Sequence, residues 1–147
     1  MRTLGIIAVC IPMLSACTLN RVSLRAIDQA EARWNAAGIR SYTFDLRVNV
    51  QVPSPCAVRD VIAVNVQDLQ PVAYGSCSEP PIEEKDQSSI PALFQLMRDA
   101  KGKEVPRMRA SFDAAKGLPR VIEITYARWV TDATATFYIN NFQTSAR

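Results

Sequence analysis

The chain has 147 residues, with 17 basic against 14 acidic side chains and no histidine. Its length supports a single domain with one proper core. The missing histidine excludes Ser-His-Asp and Cys-His triads, HExxH metalloproteases and histidine proton shuttles, and the charges are too scattered to form a nucleic-acid footprint.

The first sixteen residues have the layout of a secretory signal: one basic residue, Arg2, an apolar run from Leu4 to Leu14, then small residues. The run is shorter than the about 20 residues that a transmembrane helix needs, and Pro12 interrupts it. Leu14-Ser15-Ala16-Cys17 resembles the lipobox of bacterial lipoproteins, whose cysteine is lipidated and becomes the new N-terminus. The resemblance implies a signal peptide over 1–16, a palmitate-type lipid on Cys17 and a tether over 17–22. It further implies a membrane-anchored protein of the bacterial cell envelope. Thr18 in place of Asp points to the outer membrane, facing the periplasm. Without Arg2, 16 basic residues face 14 acidic ones in the mature chain.

A single α+β domain is expected over 23–147. Ser23 offers an N-cap, and Leu24, Ile27, Ala30 and Trp34 recur at helical spacing up to Gly38, which predicts a helix over Leu24–Ala37 with Trp34 as a core anchor. Tyr42, Phe44, Leu46, Val48, Val50 and Val52 then alternate with polar residues, the pattern of a strand with one buried face. Pro53 and Pro55 end it. Val61–Val66 and Pro71–Tyr74 read as a hairpin turning at Gln67-Asp68-Leu69-Gln70.

Residues 78–89 form a polar loop; its acidic cluster lacks the spacing and the glycine of an EF-hand. Ser88 or Ser89 caps a second helix over Ile90–Lys101, with Pro91 in its first turn and Leu93, Phe94, Met97 and Ala100 on its apolar face. Strands follow at Val105–Phe112, Arg120–Tyr126 and Thr134–Phe142, with a turn at 113–119 and a frayed end over the last five residues. The order α-β-β-β-α-β-β-β predicts an antiparallel sheet of about six strands with both helices packed on one face.

Of the four cysteines, Cys10 leaves with the signal and Cys17 carries the lipid, so Cys56 and Cys77 remain. They flank the hairpin in an oxidising compartment, which predicts a disulfide. The loop of about 20 residues that it closes stabilises by roughly 3 kcal/mol in the chain-entropy view. Two cysteines without histidine do not make a zinc site, and the chain has neither a phosphate-binding G-x-x-x-x-G-K-[ST] loop nor a GxGxxG turn. No metal, cofactor or catalytic residue is expected.

Trp34, Ile39-x-x-Tyr42-x-Phe44, Cys56, Leu93-Phe94, Phe112-Asp113-x-x-x-Gly117-Leu118-Pro119-x-x-Ile122 and Asp132 occur in that order. This pattern, over about residues 30–142, is similar to a bacterial family known only as a domain of unknown function in lipoproteins and secreted proteins. The resemblance implies the same fold and location and supplies no catalytic residue.

The function expected is therefore a non-enzymatic envelope lipoprotein that binds a protein partner or a small ligand, with no nucleic-acid partner. Its expected contact surface is the 127–132 connection with Trp129 and Arg128, together with the acidic loop 79–86. The alternatives are a periplasmic inhibitor of a hydrolase, inserting the loop 78–89, and a histidine-free hydrolase that uses Asp or Glu.

Overall fold

A computed structural model describes residues 19–50, 61–73, 89–103, 105, 107–126 and 133–145. The chain is an α+β domain: two helices lie against one face of an antiparallel sheet. The strands are β1 (Asn20–Arg21), β2 (Tyr42–Val50), β3 (Val61–Gln67), β4 (Gln70–Ala73), β5 (Arg107–Phe112), β6 (Pro119–Tyr126) and β7 (Ala133–Thr144). The helices are α1 (Leu24–Ala36) and α2 (Ile90–Gly102). The sheet order is β1-β5-β6-β7-β2-β3-β4, so two three-strand meanders meet along β7 and β2.

Seven strands stand where about six were expected. The additional one is β1, in residues read from the sequence as tether. Asn20 and Arg21 pair with Ala110 and Arg109, the Val22 amide donates to the Met108 carbonyl at 3.2 Å, and Val22 is buried. The other end also runs further than expected. Gln143 and Thr144 pair with Thr43 and Tyr42, and the Ser145 amide donates to the Ser41 carbonyl.

Both helices begin where short polar side chains satisfy the first free amides. Ser23 Oγ accepts from the Ala26 amide and Ser89 Oγ from the Ala92 amide, each at 3.2 Å. From α1, Ile27, Ala30 and Trp34 enter the core; from α2, Ile90, Leu93, Phe94, Leu96, Met97 and Ala100 do so. Across the helix pair, Arg98 of α2 bonds Asp28 and Glu31 of α1.

The period-two pattern of β2 holds. Tyr42, Phe44 and Leu46 are buried and Val48 partly so, while Thr43, Asp45, Arg47 and Asn49 lie on the other side. Register carries the buried phase across the sheet through Val64 and Val66, Ala135, Phe137 and Ile139, Ile122 and Ile124, and Met108 and Ala110. Trp34 packs edge-on against Tyr42 and Phe142, with ring centroids 5.3 and 5.7 Å away, and Phe94 stacks on Phe112.

Among the described residues, register shifts occur in three strand pairs, β2–β7, β3–β4 and β5–β6, and the first and last of them re-phase their strands. Between Thr43 and Asp45 the β7 partner jumps from Gln143 to Asn140, so β7 holds one extra residue there. Asn141, at φ +49°, sits in this bulge. Strict alternation from Ile139 would turn residue 141 inward; the bulge sends Phe142 to the core side instead. The second bulge is in β6: Ser111 pairs with Val121 but Phe112 with Pro119, leaving Arg120 as the extra residue.

Candidate binding face

The helices cover one face of the sheet. Among the described residues nothing covers the other. Register writes out its rows. Arg21, Arg109, Glu123, Thr136 and Asn49 form one, and Ser111, Val121, Tyr138 and Arg47 form the next. Leu19 precedes Arg21 by two residues and joins the second row beside Ser111.

At the β5–β6–β7 end this face holds a hollow of about 710 Å³, within the size range of small-molecule sites. Leu19, Phe112, Ala114, Val121 and Tyr138 give it an apolar wall, and Ser111 and Thr136 contribute hydroxyls. Tyr138 is 36% exposed, a large apolar surface left open to solvent.

Two ion pairs border the hollow. Arg109 Nε lies 3.5 Å from Glu123 Oε1, and Arg120 Nη2 lies 3.0 Å from Asp113 Oδ2. The β6 bulge brings Arg120 to this rim beside Val121. Asp113 is committed to its turn: Oδ1 accepts from the Ala115 and Lys116 amides at 3.1 and 2.8 Å. The Lys116 amide bond is the main cause holding the Asp113 carboxyl below the usual range; partial burial opposes it and Arg120 reinforces it. Asp113 thus stays ionised and acts as a fixed turn anchor. Arg21, Arg47 and Arg107 have no carboxylate partner among the described residues.

Cys17, Cys56, Cys77, Arg128, Trp129 and Asp132, and the acidic loop 79–86, lie outside the described residues. The residues of the open face were missed in the sequence for a definite reason. Val121 and Tyr138 are apolar side chains in the polar phase of β6 and β7, neighbours of Ile122, Phe137 and Ile139, which claim the core. An apolar residue out of phase was the available signal. Among the described residues no helix is long and apolar enough to cross a membrane.

A family signature matches residues 26–144. The chain belongs to DUF6174, a family of unknown function. No curated protein and no solved structure matches it. In this DUF6174 chain the residues that carried the resemblance are mostly structural. Trp34, Tyr42, Phe44, Leu93, Phe94, Leu118 and Ile122 are buried. Asp113 holds its turn and Gly117 packs on α1. Those residues therefore serve the folding of this chain, and the open face lies largely outside them.

Proposed function

We propose that the protein is a lipid-anchored binding module of the bacterial cell envelope, a non-enzymatic lipoprotein held by Cys17 that presents the open sheet face to its partner. The observation that carries this reading is the open face itself. An antiparallel sheet with one face on the core presents a polar, solvated second face; here that face also bears an apolar hollow and an exposed tyrosine. Exposed apolar surface with a polar rim is the composition of an interaction site. The lipobox-like Leu14-Ser15-Ala16-Cys17 supports the anchor.

Two experiments test the reading. Mass spectrometry of the membrane-extracted protein should find a lipid-modified N-terminus at Cys17; an unmodified N-terminus elsewhere overturns the anchor. For the face, immobilised chain 18–147 and its Tyr138→Ala variant are compared against detergent-solubilised envelope. Binding that the variant loses at unchanged melting temperature supports the reading. Turnover of an ester, peptide or glycoside, abolished by one Asp or Glu substitution, overturns it.

A further inference from the structure

We infer that the open face binds an anionic lipid of the bilayer: the hollow takes an acyl chain, and Arg21, Arg47 and Arg107 of the same face take the head group. The inference deepens the binding reading above and names its ligand. Three observations carry it.

The first is charge. The open-face phase holds Arg21, Arg47, Arg107, Arg109 and Arg120 against Asp45, Asp113 and Glu123. Arg21 stands directly across from Arg109, whose charge is met by Glu123 at 3.5 Å, so Arg21 adds a cation beside an ion pair that is already complete. Three of the five guanidinium groups have no carboxylate partner among the described residues, and Arg is the side chain suited to bidentate capture of phosphate oxygens.

The second is shape. About 710 Å³ of largely carbon-lined space opens on the same face, with the Ser111 and Thr136 hydroxyls and the charged Arg120, Asp113 and Glu123 among its lining. Arg47 is the cross-strand neighbour of its Tyr138, and Arg21 and Arg107 stand further along β1 and β5. An apolar tail and an anionic head on one molecule match both halves at once.

The third is position. Leu19 lines the hollow and follows Cys17 by two residues in sequence. Two residues of chain span at most about 7 Å, so a lipid on Cys17 fixes the bilayer at the rim of this site. A face held there meets lipid at high effective concentration.

The test uses chain 18–147, which keeps every described hydrogen bond, with sedimentation on phosphatidylglycerol vesicles and on phosphatidylcholine vesicles. Wild type should bind the anionic vesicles at least 10-fold more tightly, with the difference shrinking in high salt. Arg21→Ala/Arg47→Ala/Arg107→Ala should weaken anionic binding by roughly 100-fold, at about one factor of five per arginine. Val121→Glu should weaken binding to both vesicle types. Equal binding to the two lipids, or a triple variant that binds as wild type, overturns the inference. Should Val121→Glu not fold, the exposed arginine variant decides alone. The chain tested carries no lipid, so failure here leaves the Cys17 anchor standing; failure of the anchor removes the argument from position and leaves the vesicle result to rest on charge and shape.

Discussion

The buried Tyr42 hydroxyl accepts a hydrogen bond from the Ile90 amide at 3.1 Å, joining the start of β2 to the first turn of α2. Helix N-termini carry amides with no partner inside the helix, and this one is satisfied by a phenol from a strand 48 residues away in sequence. Tyr42→Phe keeps the ring, which packs against Trp34, Phe44 and Phe142, and orphans the amide. The expected cost is about 1–3 kcal/mol in denaturant melts. The same site sets an alkaline limit. Burial, opposed by the Ile90 amide bond, pushes the Tyr42 pKa up to about 12 from 10.0. The unfolded chain ionises first, so this contribution is complete below pH 10 and declines toward pH 12 by about 3 kcal/mol. Melts across that window should show the decline in wild type and not in Tyr42→Phe.

Gly117 cannot carry a side chain. It adopts φ +72°, and an added Cβ would lie 1.9 Å from the Ala30 carbonyl oxygen, in the backbone of α1. Gly117→Ala should cost roughly 3 kcal/mol or more, since both the left-handed backbone and the helix contact resist it. Gly38→Ala is the control: its φ is +62° with nothing within 4 Å, so its cost should stay near 1–2 kcal/mol. Equal costs would remove the steric part of this account.

Asn141 pins the β7 bulge. Its φ is +49°, and its Nδ2 donates to Asp45 Oδ2 at 2.6 Å. Asn141→Ala should destabilise by roughly 1–2 kcal/mol. Asn141→Gly, which accepts the backbone freely, should cost distinctly less. The order of the two midpoints is the measurement that checks this.

The hairpin turn invites improvement. Asp68 and Leu69 both have positive φ, at 51° and 70°, the requirement of a type I′ turn that favours glycine at its second position. Leu69 is 46% exposed, so its side chain contributes little burial. Leu69→Gly should raise stability by roughly 0.5–1 kcal/mol in thermal or denaturant melts. Its amide bond to the Arg40 carbonyl is unaffected by the change.

The same hairpin bears on Cys56 and Cys77, which lie outside the described residues. β3 and β4 pair antiparallel from Gln67↔Gln70 to Asn65↔Ala73, and β3 runs four residues further, to Val61, so the chain segments leading to the two cysteines lie on the same side of the hairpin, away from its turn. Non-reducing peptide mapping should recover a Cys56–Cys77 peptide. Cys56→Ser/Cys77→Ser should cost about 2–4 kcal/mol. Recovery of two free thiols from envelope-extracted protein refutes the bridge.

Sequence alone determined the elements whose signals are local. The alternation from Tyr42 to Val48 chose the buried face of β2, Ser23 started α1 and the Ser88-Ser89 pair marked the start of α2, because a side chain's phase and a cap's hydrogen bond depend on neighbours a few residues away. The fold then chose Ser89 as the cap. Tertiary structure decided the rest. Asn20–Arg21 became a strand because β5 offered an unpaired edge. The Asn141 bulge overrode alternation so that Phe142 could reach Trp34 and Tyr42. The open face took its character the same way. Leu19, Ser111, Val121 and Tyr138 come from four separate segments, and only the register of β5, β6 and β7, with the chain entering beside them, sets them around one hollow. Pairing between distant strands is fixed by the packing of the whole core, and no single segment carries that information.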